Sequence, residues 1–77
     1  MSTAFFDRKS PIVPLGGIGK VKQAITSSKP GRIYYRATYW PARFSELYEP
    51  QTIIPGEQVR VVGRQGLTLL VVPESYA

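Results

Sequence analysis

The chain has neither cysteine nor histidine. Without cysteine there is no disulfide, no thiolate metal site and no thiol nucleophile, and nothing suggests a secreted, cross-linked scaffold. Without histidine the commonest general base, the commonest metal ligand and the Ser–His pairing all disappear. Ser10, Ser27, Ser28, Ser45 and Ser75 therefore have no base to activate them, and no Ser-x-x-Lys spacing takes its place. Glu46 and Glu49 lie three apart in a strand-to-loop segment, where a carboxylate pair is ordinarily solvated surface rather than an acid–base couple. No catalytic residue, cofactor or metal is expected.

Acidic residues are scarce, five against ten lysines and arginines, which gives a formal net charge of +5. The imbalance is local. From Gly16 to Ser45 stand Lys20, Lys22, Lys29, Arg32, Arg36 and Arg43 with no acid among them, whereas Glu46, Glu49 and Glu57 outnumber Arg60 and Arg64 from there to Pro73. One half of the folded unit should present a field that attracts an anionic partner, or simply a solvated basic face. Long apolar runs are also missing; none approaches the ~20 residues that span a bilayer. Ala4-Phe5-Phe6 is too short for a signal core, and Asp7-Arg8-Lys9 follows it instead of preceding it. A cytoplasmic protein is expected.

Helical periodicity is absent, since seven glycines and seven prolines in 77 residues leave hardly a stretch of ten without a breaker. Short strands fit between them. Residues 1–15 show no sustained period and read as a flexible N-terminal arm, tacked down by Phe5 and Phe6, while 74–77 read as a tail. Between them, strand one (Gly19–Ser27) alternates Val21, Gln23 and Ile25 against Lys20, Lys22, Ala24 and Thr26. Lys29-Pro30-Gly31-Arg32 reads as a type II turn, with glycine at the positive-φ position. Strand two (Arg32 to about Trp40) places Ile33, Tyr35, Ala37 and Tyr39 inward and Arg32, Tyr34, Arg36, Thr38 and Trp40 outward. Pro41 marks an edge or break before a short third strand, Ala42–Glu46. Leu47–Ile54 reads as an excursion over one end, and Ile54-Pro55-Gly56-Glu57 as a second Pro-Gly turn. Strand four (Gln58–Gly63) turns Val59 and Val61 inward. Gly63–Gly66 makes a loop with a left-handed residue and a bulge at Gly66, and strand five (Leu67–Val72) ends at Pro73. Gly16-Gly17-Ile18-Gly19 before Lys20 is a turn entering strand one rather than a phosphate loop, because β-patterned residues follow it at once. Five short strands of this kind suit a small closed all-β barrel over residues 16–73.

Two outward clusters are candidates for binding. Tyr34 and Trp40 lie beside Arg32 and Arg36, with Lys20 and Lys22 on the neighbouring strand. Exposed rings among cations suit single-stranded nucleic acid, a protein contact or plain solvated surface. The second cluster follows from strand five: if Leu67, Leu69 and Val71 fill the barrel, Leu70 and Val72 face outward beside Val62, and an apolar group there needs cover. The arm, a one-residue phase shift at Gly66 or a protein partner would each supply it.

The succession Gly16-Gly17-Ile18-Gly19, Pro30-Gly31-Arg32-Ile33, Trp40-Pro41-Ala42, Pro55-Gly56-Glu57-Gln58-Val59-Arg60-Val61-Val62, Gly66 and Leu69-Leu70-Val71-Val72-Pro73 resembles the C-terminal domain of NfeD-like proteins. The resemblance spans about residues 16–73 and implies a five-stranded OB-fold barrel. It also implies a non-enzymatic interaction module whose associates are stomatin-like (slipin) membrane scaffold proteins, so that the chain would be peripheral to a membrane through its partner. Members of that family generally carry membrane-spanning helices before this domain, and long forms add a serine protease domain. Neither pattern occurs in these 77 residues, so neither insertion nor proteolysis is expected of them. The resemblance transfers no binding residue.

Overall fold

The computed structural model describes residues 11–45 and 52–74. They form eight strand segments: β1 (Ile12–Pro14), β2 (Ile18–Gln23), β3 (Ile25–Thr26), β4 (Gly31–Tyr35), β5 (Thr38–Phe44), β6 (Thr52–Ile53), β7 (Gln58–Gln65) and β8 (Thr68–Pro73). The sheet closes on itself, because β7 pairs with β2 on one edge and with β8 on the other, while β4 and β5 complete the ring. β1 and β2 lie along the same edge of β7, joined by the bonds Leu15 N–H to the Val62 carbonyl (3.3 Å) and Val61 N–H to the Gly17 carbonyl (2.9 Å). They act as one interrupted strand. The barrel is thus five-stranded and mixed, with all ring pairings antiparallel except the parallel pair β5–β8. Closure leaves few strand edges unpaired, which suits a sheet this small.

Alternation fills the interior as expected. Val21, Ile33, Val59, Val61, Leu69 and Val71 are all nearly or wholly buried, together with Ile25, Tyr35, Ala42, Phe44 and Ile53. The pair β3–β6, with Ile25 opposite Ile53, adds a two-stranded flap whose isoleucines join this core. Gly56 takes φ +97° in the expected Pro-Gly turn, closed by Glu57 N–H to the Ile54 carbonyl at 3.2 Å. Gly66 is likewise left-handed.

Several local expectations are corrected. The first turn sits at Ser27-Ser28, closed by reciprocal bonds between Thr26 and Lys29, and Gly31 begins β4 without a positive φ. Glycine is needed there for another reason: a Cβ would overlap the carbonyl oxygens of Gln23 and Ala24. Strand two is not continuous to Trp40. A two-residue turn at Arg36 (φ 53°) and Ala37 (φ 70°) folds it into the β4–β5 hairpin, and β5 then runs without interruption through Pro41 to Phe44. The register bulge in the last hairpin lies between Val61 and Gly63 of β7, not at Gly66. Leu67 occupies the turn, 74 % exposed, and does not fill the barrel. Residues 12–14 of the expected arm form β1, whereas Phe5, Phe6, Glu46, Glu49 and the 75–77 end of the tail lie outside the described residues.

Candidate partner-binding surface

The outer face of β2, β4 and β5 is assembled by cross-strand register. Tyr39 lies opposite Tyr34, Tyr34 opposite Lys20 and Lys20 opposite Gln58, and such partners share one face of the sheet. The two tyrosine rings meet edge to face at 5.1 Å, and the Lys22 ammonium lies 5.9 Å from the Tyr39 ring centre. Arg32 is exposed two residues before Tyr34, on the same side. Lys20, Lys22, Arg32 and Tyr34 therefore converge as expected.

Trp40 and Arg36 do not join them. The hairpin at Arg36-Ala37 shifts the phase of everything after it: Trp40 comes opposite Ile33, packs against the core and donates its Nε1–H to the Tyr35 carbonyl at 3.1 Å. Arg36 stands in the turn with its guanidinium 5.0 Å from the Tyr35 ring centre. Tyr35 is inward, as expected, and donates its hydroxyl to the Gly16 carbonyl at 2.5 Å. Tyr39, expected inward, is exposed and belongs to the surface. The turn that places it there carries none of the Gly or Asn signals of a two-residue hairpin, so alternation alone could not find it.

The aliphatic cluster is corrected too. Val62 is 37 % exposed and Val72 half-buried, but Leu70 is only 6 % exposed. β8 keeps its expected phase, with Leu69 and Val71 inward, and Leu70 lies outside the interior cluster. The chain's own N-terminal segment passes close to it. β1 lies along β7 with Pro14 opposite Gly63, and the Ile12 Cγ2 and Leu70 Cδ1 atoms both approach the open side of Gly63. A hydrogen bond from Arg43 Nη2 to Gln65 Oε1 at 2.6 Å borders the same face. Leu70 is thus not available to a partner. What stays open nearby is Ile12, Ile18 and Val62, with Ile18 in register with Arg60 and Arg60 with Val72. Ile18 is legible in the sequence, since it shares the outward phase of Lys20 and Lys22.

Among the described residues there is no group of histidine, cysteine, aspartate or glutamate that could hold a metal ion, and no helix long and apolar enough to cross a membrane. The C-terminal domain of a stomatin operon partner protein from Pyrococcus horikoshii is similar to this chain, with 40 % identity, a TM-score of 0.65, and coverage of 78 % of this chain and 86 % of that one. The soluble domain of a membrane protein implicated in regulation of membrane protease activity, from Corynebacterium glutamicum, is similar at 28 % identity and a TM-score of 0.67, over 78 % of this chain and 90 % of the other. No curated protein sequence matches. The family model described as the NfeD-like C-terminal, partner-binding domain matches residues 15–73, which takes in the whole barrel from the β1–β2 junction to the end of β8. A five-stranded barrel whose outer face offers cations, tyrosines and uncovered aliphatics is accordingly a protein-interaction module, and the chain belongs to the NfeD-like C-terminal domain family.

Proposed function

We propose that this barrel is a non-catalytic docking module that binds a stomatin-like, membrane-associated scaffold protein and lies on the cytoplasmic side of the membrane through that partner. The observation that carries the reading is the 40 % identity to the C-terminal domain of a stomatin operon partner protein, over 86 % of that domain. The surface supports it. Tyrosine and arginine are enriched where proteins dock, and Ile12, Ile18 and Val62 leave further apolar area open to solvent. A non-catalytic role is supported by a sequence without histidine or cysteine, whose serines have no base to activate them.

The test is direct titration of the purified chain with the stomatin-like protein of the same cell, followed by light scattering after size exclusion and by calorimetry. A saturable complex with a defined mass ratio is expected, with a negative heat-capacity change from buried apolar surface. No rise in mass at any ratio would overturn the assignment.

A further inference from the structure

We infer that the face built by Lys20, Lys22, Arg32, Tyr34 and Tyr39 receives an acidic, carboxylate-rich segment of a protein partner. This deepens the docking role proposed above and rests on it only for the partner's identity.

Charge selects the chemistry of the occupant. Between residues 11 and 45 the chain has no acidic residue, and among the described residues none of Lys20, Lys22 and Arg32 is ion-paired. Three cations and two exposed tyrosines thus share this face with no ion-paired counter-charge among the described residues. Such a face attracts anions and repels basic surfaces, which sets register and selects partners more than it adds affinity. The Tyr34–Tyr39 pair supplies a rigid floor, since two rings locked edge to face lose little freedom when covered.

A nucleic-acid strand would bring the same negative charge, but the ring geometry opposes it. Base stacking needs an open ring face. Tyr39 has the Lys22 ammonium near its ring and the edge-to-face contact with Tyr34 beside it. Trp40, the largest ring on these strands, packs against the core with its indole N–H already engaged. Carboxylates need no ring face. They need only ammonium, guanidinium and hydroxyl donors, and among the described residues the cations of this face have no carboxylate partner.

The test uses amide and side-chain NMR of the whole chain, titrated with a short glutamate-rich peptide and, separately, with a short oligothymidylate. Saturable shifts confined to residues 20–22, 32–34 and 39 on adding the peptide are expected. The double variant Lys22→Glu/Arg32→Glu should weaken peptide binding by about tenfold or more. Its fold is checked by an unchanged melt, and Lys20→Gln/Lys22→Gln serves if it melts early. Shifts scattered over every lysine and arginine, or no loss in the variants, would overturn the inference. So would tighter oligothymidylate binding that disappears with Tyr39→Ala. The same variants are then titrated with the stomatin-like protein. If that complex forms and is indifferent to charge reversal, this inference fails while the docking assignment stands. If the protein does not bind but the peptide does, the assignment fails and the acidic site stands.

Discussion

Leu70 separates a structural reading of the β8 outer face from a binding one. Its side chain is almost fully buried outside the interior cluster, beside Gly63, whose open side Ile12 of β1 also approaches. Truncation to alanine removes three carbons from contact, at about 0.8 kcal/mol per methylene. The cavity left behind opens toward Ile12, which is 57 % exposed, so water and a small shift of β1 can relieve it. The loss should therefore sit near the lower end of the core Leu→Ala range, about 2 kcal/mol. In a domain of this size 1 kcal/mol moves the melting temperature by roughly 4–8 °C, so Leu70→Ala should melt some 10–15 °C early.

Leu70→Lys should cost more. The ammonium would emerge beside Arg43, its neighbour in the parallel register, and its stem could reach water only by lifting β1. At roughly 0.05–0.15 kcal/mol per residue the whole domain holds only a few kcal/mol, so this variant should be largely unfolded at 37 °C. Circular-dichroism melts of the two variants, with Ile12→Ala and the double variant Ile12→Ala/Leu70→Ala, make the test complete. The paired truncations should cost less than the sum of the singles, because each removes a contact the other has already lost. A Leu70→Lys protein that melts within a degree or two of the parent, or strict additivity in the cycle, would show that β1 does not cover this residue.

Ile33→Ala, at a fully buried site, should destabilise by about 2–5 kcal/mol, and a melt within two degrees of the parent would contradict the strand phase. Gly31→Ala should fail to accumulate as folded protein in a dispersed NMR spectrum, since its Cβ meets backbone carbonyls rather than a movable side chain. Ala37→Gly should stabilise: its φ of 70° is left-handed, a conformation that costs a non-glycine residue about 1 kcal/mol, so calorimetry should show a rise of several degrees. Deletion of residues 1–15 should lower the melting temperature and promote aggregation by stripping the cover from Leu70 and Gly63; a stable monomer by light scattering would refute that.

What could be read before the structure follows from where alternation is the governing force. β7 and β8 are the last two long strands, joined at the turn glycine Gly66, and their inward set of Val59, Val61, Leu69 and Val71 emerged as expected despite the bulge in β7. Alternation breaks wherever the backbone departs from extended geometry without a residue that signals it. Arg36 and Ala37 adopt positive φ with side chains that disfavour it, and this single missed turn exchanged the roles of Tyr39 and Trp40. The Pro30-Gly31 pair had the composition of a turn, yet close approach to the Gln23–Ala24 backbone is what demands glycine there. β1 was invisible for a third reason. Ile12-Val13-Pro14 is too short to show a period, and only pairing with the far end of β7 makes it a strand.

The same alternation explains how so small a barrel carries a binding face at all. On β2 the outward Ile18, Lys20 and Lys22 are interleaved with Gly19 and Val21, and on β7 Arg60 and Val62 are interleaved with Val59 and Val61. The inward set fixes register, because a slip of one residue would drive lysines into the interior and valines into water. The outward set is then held in place without contributing much to stability, so it is free to be chosen for a partner. That division predicts opposite behaviour from neighbouring residues on one strand. Val21→Ala should reduce stability and affinity together, since the face is lost when the register is lost. Lys20→Gln or Lys22→Gln should leave the melt unchanged and alter association alone, most visibly its rate and salt dependence.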